Sequence, residues 1–458
     1  MDGCSLSVSI DAGVRIDLLA STEAVVEKMS SVSAPRSSST RSVKTEFSER
    51  ELAPVALFDG WCRDRFASYL RDANRRELTI NDSRGTLDLG NASGDGVEMT
   101  VHNPRFYRRT VFGGALGFAE SYLQGEWSTD DLTAVLQFFA GNMSQSKRAD
   151  GTLSRFGRWV ARMGHQFAKN TKLGSRKNIS AHYDLGNDFF QTFLDDTMMY
   201  SSGIFADENV TLHAASVEKL DRICRKLDLQ STDHVIEIGT GWGGFALHAA
   251  SQYGCRVTTT TISREQYEMA TKRVQEAGLE DRITVLMEDY RDLTGQYDKL
   301  VSIEMIEAVG HEFLDGYFEK CSQLLKPNGM LAIQAITIPH QRYDSYIKSV
   351  DFIQKYIFPG GCLPSVTRMN DVLGRRTDLQ IAEIADFSEH YAKTLALWKK
   401  RFFQRLDEVQ KLGYDERFLR LWEYYLSYCE AAFRDRLTGV VQLFAAKPDC
   451  RIEPSTIH

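Results

Sequence analysis

The chain has 458 residues, enough for two or three domains, and its 43% hydrophobic and 26% charged content is that of ordinary globular protein. A net charge of −7 argues against nucleic acid as a partner of the whole chain. The eight cysteines are scattered, without a CxxC pair or a short Cys/His spacing, which speaks against a zinc site and a disulfide framework and for a reducing compartment.

No apolar run approaches the roughly 18 residues of a membrane span, and the N-terminus lacks a signal-peptide pattern. A soluble, cytoplasmic protein is expected. Residues 1–45 are rich in Ser and poor in large apolar side chains, a composition that cannot offset its ordering entropy, so a disordered tail is expected there. Residues 46–145 carry short alternating runs ("RELTIND", "GVEMTVHN"), turn signals at Asp82 to Gly85 and Gly90 to Gly96, and aromatic-rich helical stretches. They predict a small α+β domain.

Between Lys147 and Lys177 nine Lys/Arg stand against one acid, with Leu153, Phe156, Trp159, Val160, Met163 and Phe167 at helical spacing. Residues 146–180 therefore read as a basic amphipathic linker. It would either lie on an anionic bilayer surface or pack its apolar stripe on a neighbouring element. The segment "HYDLGNDFFQTFLDDTMMYSSGIF", 182–205, combines seven aromatic or imidazole rings with small polar residues and has neither strand alternation nor a clean helical stripe.

From Leu227 the pattern alternates: "HVIEIGTGWGGFALHAASQYG" reads strand, turn, helix; "CRVTTTTIS", "ITVLMED", "YDKLVSIEMI" and "GMLAIQAITI" read as strands with helices between. Helices between strands imply parallel crossovers and a doubly wound, Rossmann-like α/β sheet. After Pro339 about a hundred residues read as all helix before "TGVVQLFAAKP" supplies a last strand. Such an insertion would form a lid over the C-terminal edge of the sheet.

The turn "VIEIGTGWGGF" places Glu237, Gly239, Gly241 and Gly243 two apart between strand and helix, where glycines admit close backbone approach to a ligand. The spacing is neither GxGxxG nor a phosphate loop. The E-x-G-x-G-x-G form, with "LMEDY" and "KPNGML" further on, resembles the cofactor turn of S-adenosylmethionine-dependent methyltransferases. On that resemblance Asp289 and Tyr290 join the cofactor site. The second strand ends "TTTISREQ" where an acid usually binds the ribose, leaving Thr261, Ile262 and Gln266 for that role.

Taken together, "HYDLGNDFF", "MMYSSGIF", "GTGWGG", "TISREQY", "VSIEMIEAVG", "QKYIFPGGCLPS", "HYAKTLALW" and "YYLSYCEAAFR" resemble the cyclopropane-fatty-acyl-phospholipid synthases, in order and spacing, from about Leu57 onward. The resemblance implies a methyltransferase domain over 181–458 and a lipid-binding-like domain over 46–145. It further implies that Tyr200 and Ser201 contact S-adenosylmethionine, while the other rings of 182–205 wall an acyl-chain pocket. It implies a bound bicarbonate as the base, held by a Cys, a Glu, a His, a backbone amide and a Tyr. The Glu is Glu307, the Tyr is Tyr391 and the amide is that of Ile336. The Cys position is Ser202 and the His position is Gln334, neither of which can supply positive charge. Ala308 replaces a further His, and Glu304 stands where Gly is common. Cys429 matches an active-site Cys of the family but reads equally well as small core packing.

The function implied is transfer of a methylene or methyl carbon to the double bond of an unsaturated phospholipid acyl chain, at an anionic membrane surface with peripheral association; a homodimer is compatible with it. The alternatives are a small-molecule N-methyltransferase on the same scaffold and a non-catalytic lipid-binding protein. If the anion site is rebuilt, Glu304 and Glu307 are the nearest candidates for the base.

Overall fold

The computed structural model describes residues 56–71, 73, 76–90, 96–143 and 185–451. The Ser-rich tail, the basic segment 146–180 and His182 to Asp184 lie outside the described residues. Seven strands form the main sheet: β5 (His234–Ile238), β6 (Arg256–Thr260), β7 (Ile283–Leu286), β8 (Tyr297–Ile303), β9 (Leu325–Thr337), β10 (Gln380–Asp386) and β11 (Gly439–Ala446), in the order β10-β11-β9-β8-β5-β6-β7. Strands β5 to β9 pair in parallel, and β11 enters antiparallel between β9 and β10.

The order reverses at β5, so the crevice beyond its C-terminal end is a topological switch point, where open α/β sheets place their ligands. The central strands are buried on both faces along their apolar stretches: Val235, Ile236, Leu300, Val301 and Leu331 have no exposed surface. The strand β10 corrects the expectation of an all-helical stretch between Pro339 and the last strand. It is an edge strand of alternating exposure, added outside β11.

The first part of the chain forms a second sheet, in the order β2-β1-β3-β4, from β1 (Leu78–Asp82), β2 (Gly85–Leu89), β3 (Val97–Val101) and β4 (Trp127–Ser128). It carries α1 (Leu57–Leu70), α2 (Arg105–Leu123) and α3 (Leu132–Met143). The predicted turn at Asp82 to Gly85 joins β1 to β2. This module does not close its core alone. Its buried residues run on into those of the lid helices, and Tyr122, Thr133 and Gln137 hydrogen-bond Glu423, Glu430 and Asp435 at 2.7, 3.0 and 2.8 Å.

Past α4 (Asn187–Gln191), α5 (Leu212–Lys226) leads into β5. The crossover after β5 holds the short α6 (Gly244–His248) and a π-helical turn, and α7 (Arg264–Glu276) follows β6. Helix α7 starts at Ser263, whose hydroxyl accepts the Gln266 amide, and the left-handed Gly278 follows its end. Between β8 and β9 runs α8 (Leu314–Gln323). Helices α9 (His340–Tyr346), α10 (Phe352–Tyr356) and α11 (Val366–Arg376) precede β10; α12 (Ser388–Gln404), α13 (Leu406–Lys411) and α14 (Glu416–Arg434) separate it from β11. Helices α12 and α14 pack on one another and close over the strand ends. Among the described residues no helix is long and apolar enough to cross a membrane.

Candidate active site

The glycine turn leaves β5 with Gly239, Gly241 and Gly243 all at positive φ (+104°, +51° and +82°), a path that side-chain-bearing residues rarely take. The amides of Gly239 and Thr240 donate to Thr260 O, both at 3.1 Å, which ties the turn to the end of β6. Glu237 lies buried beneath it. The Thr259 hydroxyl bridges to Glu237 at 2.6 Å and to Thr240 at 2.7 Å, so this carboxyl braces the turn, and burial pushes its pKa up to about 8. A Cβ at Gly241 would meet no heavy atom within 4 Å, whereas one at Gly239 would lie 3.0 Å from Met305. The space above Gly241 is an open cradle that fits a bound cofactor.

The other predicted cofactor residues ring the same edge. Thr261 and Gln266 bond one another at 2.8 Å after β6, with Ile262 between them. Beyond β7 the Asp289 carboxylate takes Arg291 on both oxygens, at 2.7 and 2.6 Å, and Tyr290 packs on Tyr317. Asp289 is thus braced by Arg291 beside its own turn.

Residues 185–205 are pinned to this edge from several directions. Asn187 accepts the Trp242 indole at 2.6 Å, clasping the glycine turn. Gly203 N donates to Thr394 and Phe205 N to His390, both on α12. Of the rings in this segment, Phe189, Phe190 and Phe193 have no exposed surface and are packed against Trp242, Trp398 and Trp422. They are core rather than open pocket wall. Tyr200 faces Trp398 and shares a 2.8 Å hydroxyl contact with Tyr425.

Glu304 follows the end of β8 at φ +48°, a left-handed conformation for a residue with a full side chain. Its Oε1 accepts from Ser202 N at 3.0 Å and from Gln334 Nε2 at 2.8 Å; its Oε2 accepts from the Tyr391 hydroxyl at 2.7 Å. Burial raises its pKa, and Tyr391, Lys219, Gln334 and Ser202 oppose that shift. Four residues from 202, 304, 334 and 391 therefore meet at one carboxylate. Gln334 is oriented from behind by the Gln442 amide at 3.1 Å, itself held by Arg222. Tyr391 packs at 4.5 Å on the Phe433 ring, and burial with the Glu304 charge holds its phenol well above its ordinary pKa, as a donor.

Two expectations change in detail. Ser202 contributes its amide, because its hydroxyl donates to Gly203 O at 3.0 Å. Glu307 and Ile336 pair with each other, Ile336 N donating to Glu307 Oε1, while Glu307 Oε2 is buried without a hydrogen-bond partner. Burial, then the Glu304 charge, pushes Glu307 up to about 8. Cys429 sits on α14 among the apolar residues around Tyr425 and Tyr428, and burial pushes its thiol up, away from the thiolate. One residue escaped sequence reasoning. Lys219 of α5 has no exposed surface and donates to the Ser201 hydroxyl at 2.6 Å, and burial lowers its pKa to about 8 against the pull of Glu304, Asp195 and Glu237.

Comparison with known proteins gives this edge its context. Residues 170–443 match the family described as mycolic acid cyclopropane synthetase. The chain is 41% identical to tuberculostearic acid methyltransferase UfaA1 of Mycobacterium tuberculosis, over 81% of this chain and 88% of that protein. It is 37% identical to the cyclopropane-fatty-acyl-phospholipid synthase of Escherichia coli K12, over 74% of this chain and 85% of that protein. The solved cyclopropane synthase MmaA2 of Mycobacterium tuberculosis superposes with a TM-score of 0.55 at 28% identity, covering 59% of this chain and 98% of that one. The chain therefore belongs to the mycolic acid cyclopropane synthetase family and is an S-adenosylmethionine-dependent methyltransferase.

Proposed function

We propose that the protein transfers the methyl carbon of S-adenosylmethionine to the double bond of an unsaturated phospholipid acyl chain, giving a cyclopropane or a methylene- or methyl-branched chain. The observation that carries this reading is the Glu304 carboxylate enclosed by rings: Tyr391 bonded to it, Phe433 and Trp398 on Tyr391, and Tyr200 with Tyr425 beside them. An alkene is a poor nucleophile that needs a dry site holding both partners in line. A cation developing in mid-chain is stabilised by aromatic faces, and a base is needed to take the departing proton. The relatives support the same class, since a tuberculostearic acid methyltransferase and a cyclopropane-fatty-acyl-phospholipid synthase both act on lipid chains.

S-adenosylmethionine supplies the electrophilic methyl carbon. Gly239, Gly241 and Gly243 would admit it, with Thr261, Ile262, Gln266, Asp289 and Tyr290 along one side and Tyr200 and Ser201 on the other. The lid helices α12 and α14 exclude water, and Tyr391 and Gln334 hold the carboxylate in place.

The acyl chain would come from an anionic bilayer. On α1, Leu57, Phe58, Trp61 and Tyr69 are 92, 54, 50 and 49% exposed, with Arg65 and Arg108 exposed near them. Aromatic and aliphatic side chains bordered by cations suit the interfacial region of such a membrane. The test is mass spectrometry of lipids from a host expressing the protein and fed methionine labelled in its methyl group. Label on unsaturated acyl chains is expected; label confined to amines would overturn the reading.

A further inference from the structure

Five positions are expected to hold a free bicarbonate, and each of them is already hydrogen-bonded within the protein. Ser202 N, Gln334 Nε2 and Tyr391 OH all donate to Glu304, at 3.0, 2.8 and 2.7 Å, and the remaining two, Glu307 and Ile336, bond each other. We propose that Glu304 is a built-in substitute for bicarbonate: its side chain brings the carboxylate to the anion position and serves as the catalytic base. The proposal rests on the acyl-methylation reading above.

Three further observations agree with it. The donors are committed, so a free anion would have to displace a carboxylate from all three. The Gln334 amide is locked by Gln442 and Arg222 with its Nε2 towards Glu304, which requires an acceptor there. The backbone at Glu304 is held at φ +48°, a conformation that costs any residue but glycine free energy. Strain of this kind persists where the side chain it delivers is used.

In the reaction the π pair of the alkene forms the new C–C bond to the methyl carbon. The S–C bond breaks with its electrons left on sulfur, and the acyl chain carries the positive charge. The Glu304 carboxylate then takes a proton from the new methyl group, and the released C–H pair closes the ring onto the cationic carbon. If a hydride first migrates to that carbon from the methyl-bearing one, the same proton removal leaves a methylene branch. Glu304 ends as the neutral acid and returns its proton to solvent before the next turnover. No oxidant or reductant is consumed.

The test uses the full chain with S-adenosylmethionine and vesicles of unsaturated phospholipid, in buffer stripped of carbon dioxide and again with added bicarbonate. Wild-type rate should change less than about twofold. Glu304→Gln should lose about 100-fold or more, the usual share of a general base, whether or not bicarbonate is present. Glu304→Gly, which suits the backbone and opens the anion position, should lose as much in stripped buffer and regain at least about tenfold with bicarbonate. Calorimetry should detect bicarbonate binding to Glu304→Gly and none to wild type, with S-adenosylmethionine affinity of all three proteins within about threefold as the check on folding. A bicarbonate-dependent wild type, or a Glu304→Gly variant fully active in stripped buffer, would overturn the proposal. If wild type labels no lipid, the acyl-methylation reading fails, while bicarbonate binding to wild type and Glu304→Gly still decides what occupies the anion position.

Discussion

Replacing Gly241 by alanine separates the cost to the fold from the cost to the cofactor. The new Cβ would meet nothing within 4 Å, so packing sets no penalty, and the backbone at φ +51° sets one of about 1–2 kcal/mol for a left-handed L-residue. For a unit of this size each kcal/mol lowers Tm by about 2–4 °C. In the bound state the methyl group would stand in space that the cofactor fills, and overpacking a fitted contact costs about 1–3 kcal/mol. That range corresponds to about 5- to 150-fold in affinity, with Gly241→Val towards or beyond its upper end. Gly239→Ala should behave in the opposite way, because its φ of +104° and the 3.0 Å approach to Met305 put the damage into the apo fold. Calorimetric titration with S-adenosylhomocysteine and a thermal melt of each variant give the two numbers. Unchanged affinity for Gly241→Val in a folded protein would refute the placement of the cofactor over this turn.

Removing the buried ammonium with Lys219→Met should raise the pKa of Glu304, which that charge opposes, and so move the acid limb of the pH–rate profile to higher pH; an unmoved limb would count against their coupling. The same variant bears on stability. Lys219 has a folded pKa of about 8 against 10.5 unfolded, so the unfolded chain binds the extra proton between those values and wild-type stability should rise with pH there, by about 3 kcal/mol in all. Denaturant melts at pH 8 and pH 10 should show that rise in wild type and its loss in Lys219→Met. At the membrane, Phe58→Glu with Trp61→Glu should weaken co-sedimentation with anionic vesicles and leave cofactor affinity unchanged, since both side chains are on the exposed face of α1; unaltered sedimentation would move the docking surface elsewhere.

The parallel core was legible because β5, β8 and β9 carry largely apolar, mostly buried runs and the helix after β6 opens on a Ser cap. Strand β10 was not. Its sequence "QIAEIAD" is rich in Ala and Glu, which favour helix, and only pairing with β11 at the sheet edge makes it a strand. At the site, the departures at Ser202, Gln334 and Glu304 stood out in the sequence. That Ser202, Gln334 and Tyr391 all meet at the Glu304 carboxylate did not, because their separations from it of 30 to 102 residues are closed only by the sheet and lid. Lys219 left a weak signal. It lies on the buried stripe of α5 with Leu212, Ala215, Ser216 and Ile223, where a solvated lysine has no place.

The charges at this edge form a single arrangement, and its balance explains why the substitutions occur together. Burial alone would neutralise every carboxyl here, and it pushes Glu237 and Glu307 up to about 8, so near neutral pH both are largely protonated. Burial raises Glu304 as well, but this carboxyl receives three hydrogen bonds and the field of Lys219, all of which oppose that shift and favour its charged form. The charged form of Glu304 is thus the one its neighbours favour, and the Lys219 ammonium is the charge that compensates it within a dry site. A histidine at position 334 could add a second positive charge to that pair, weakening the base by stabilising its anion too far. The amide of Gln334 donates without carrying charge, and Gln442 fixes which end it presents. A thiol at position 202 is likewise dispensable, since the backbone amide of Ser202 already makes the contact with Glu304. A carboxylate at position 304 therefore makes a neutral residue preferable at 334 and removes the need for a cysteine at 202, so the three departures follow from one change in where the base comes from.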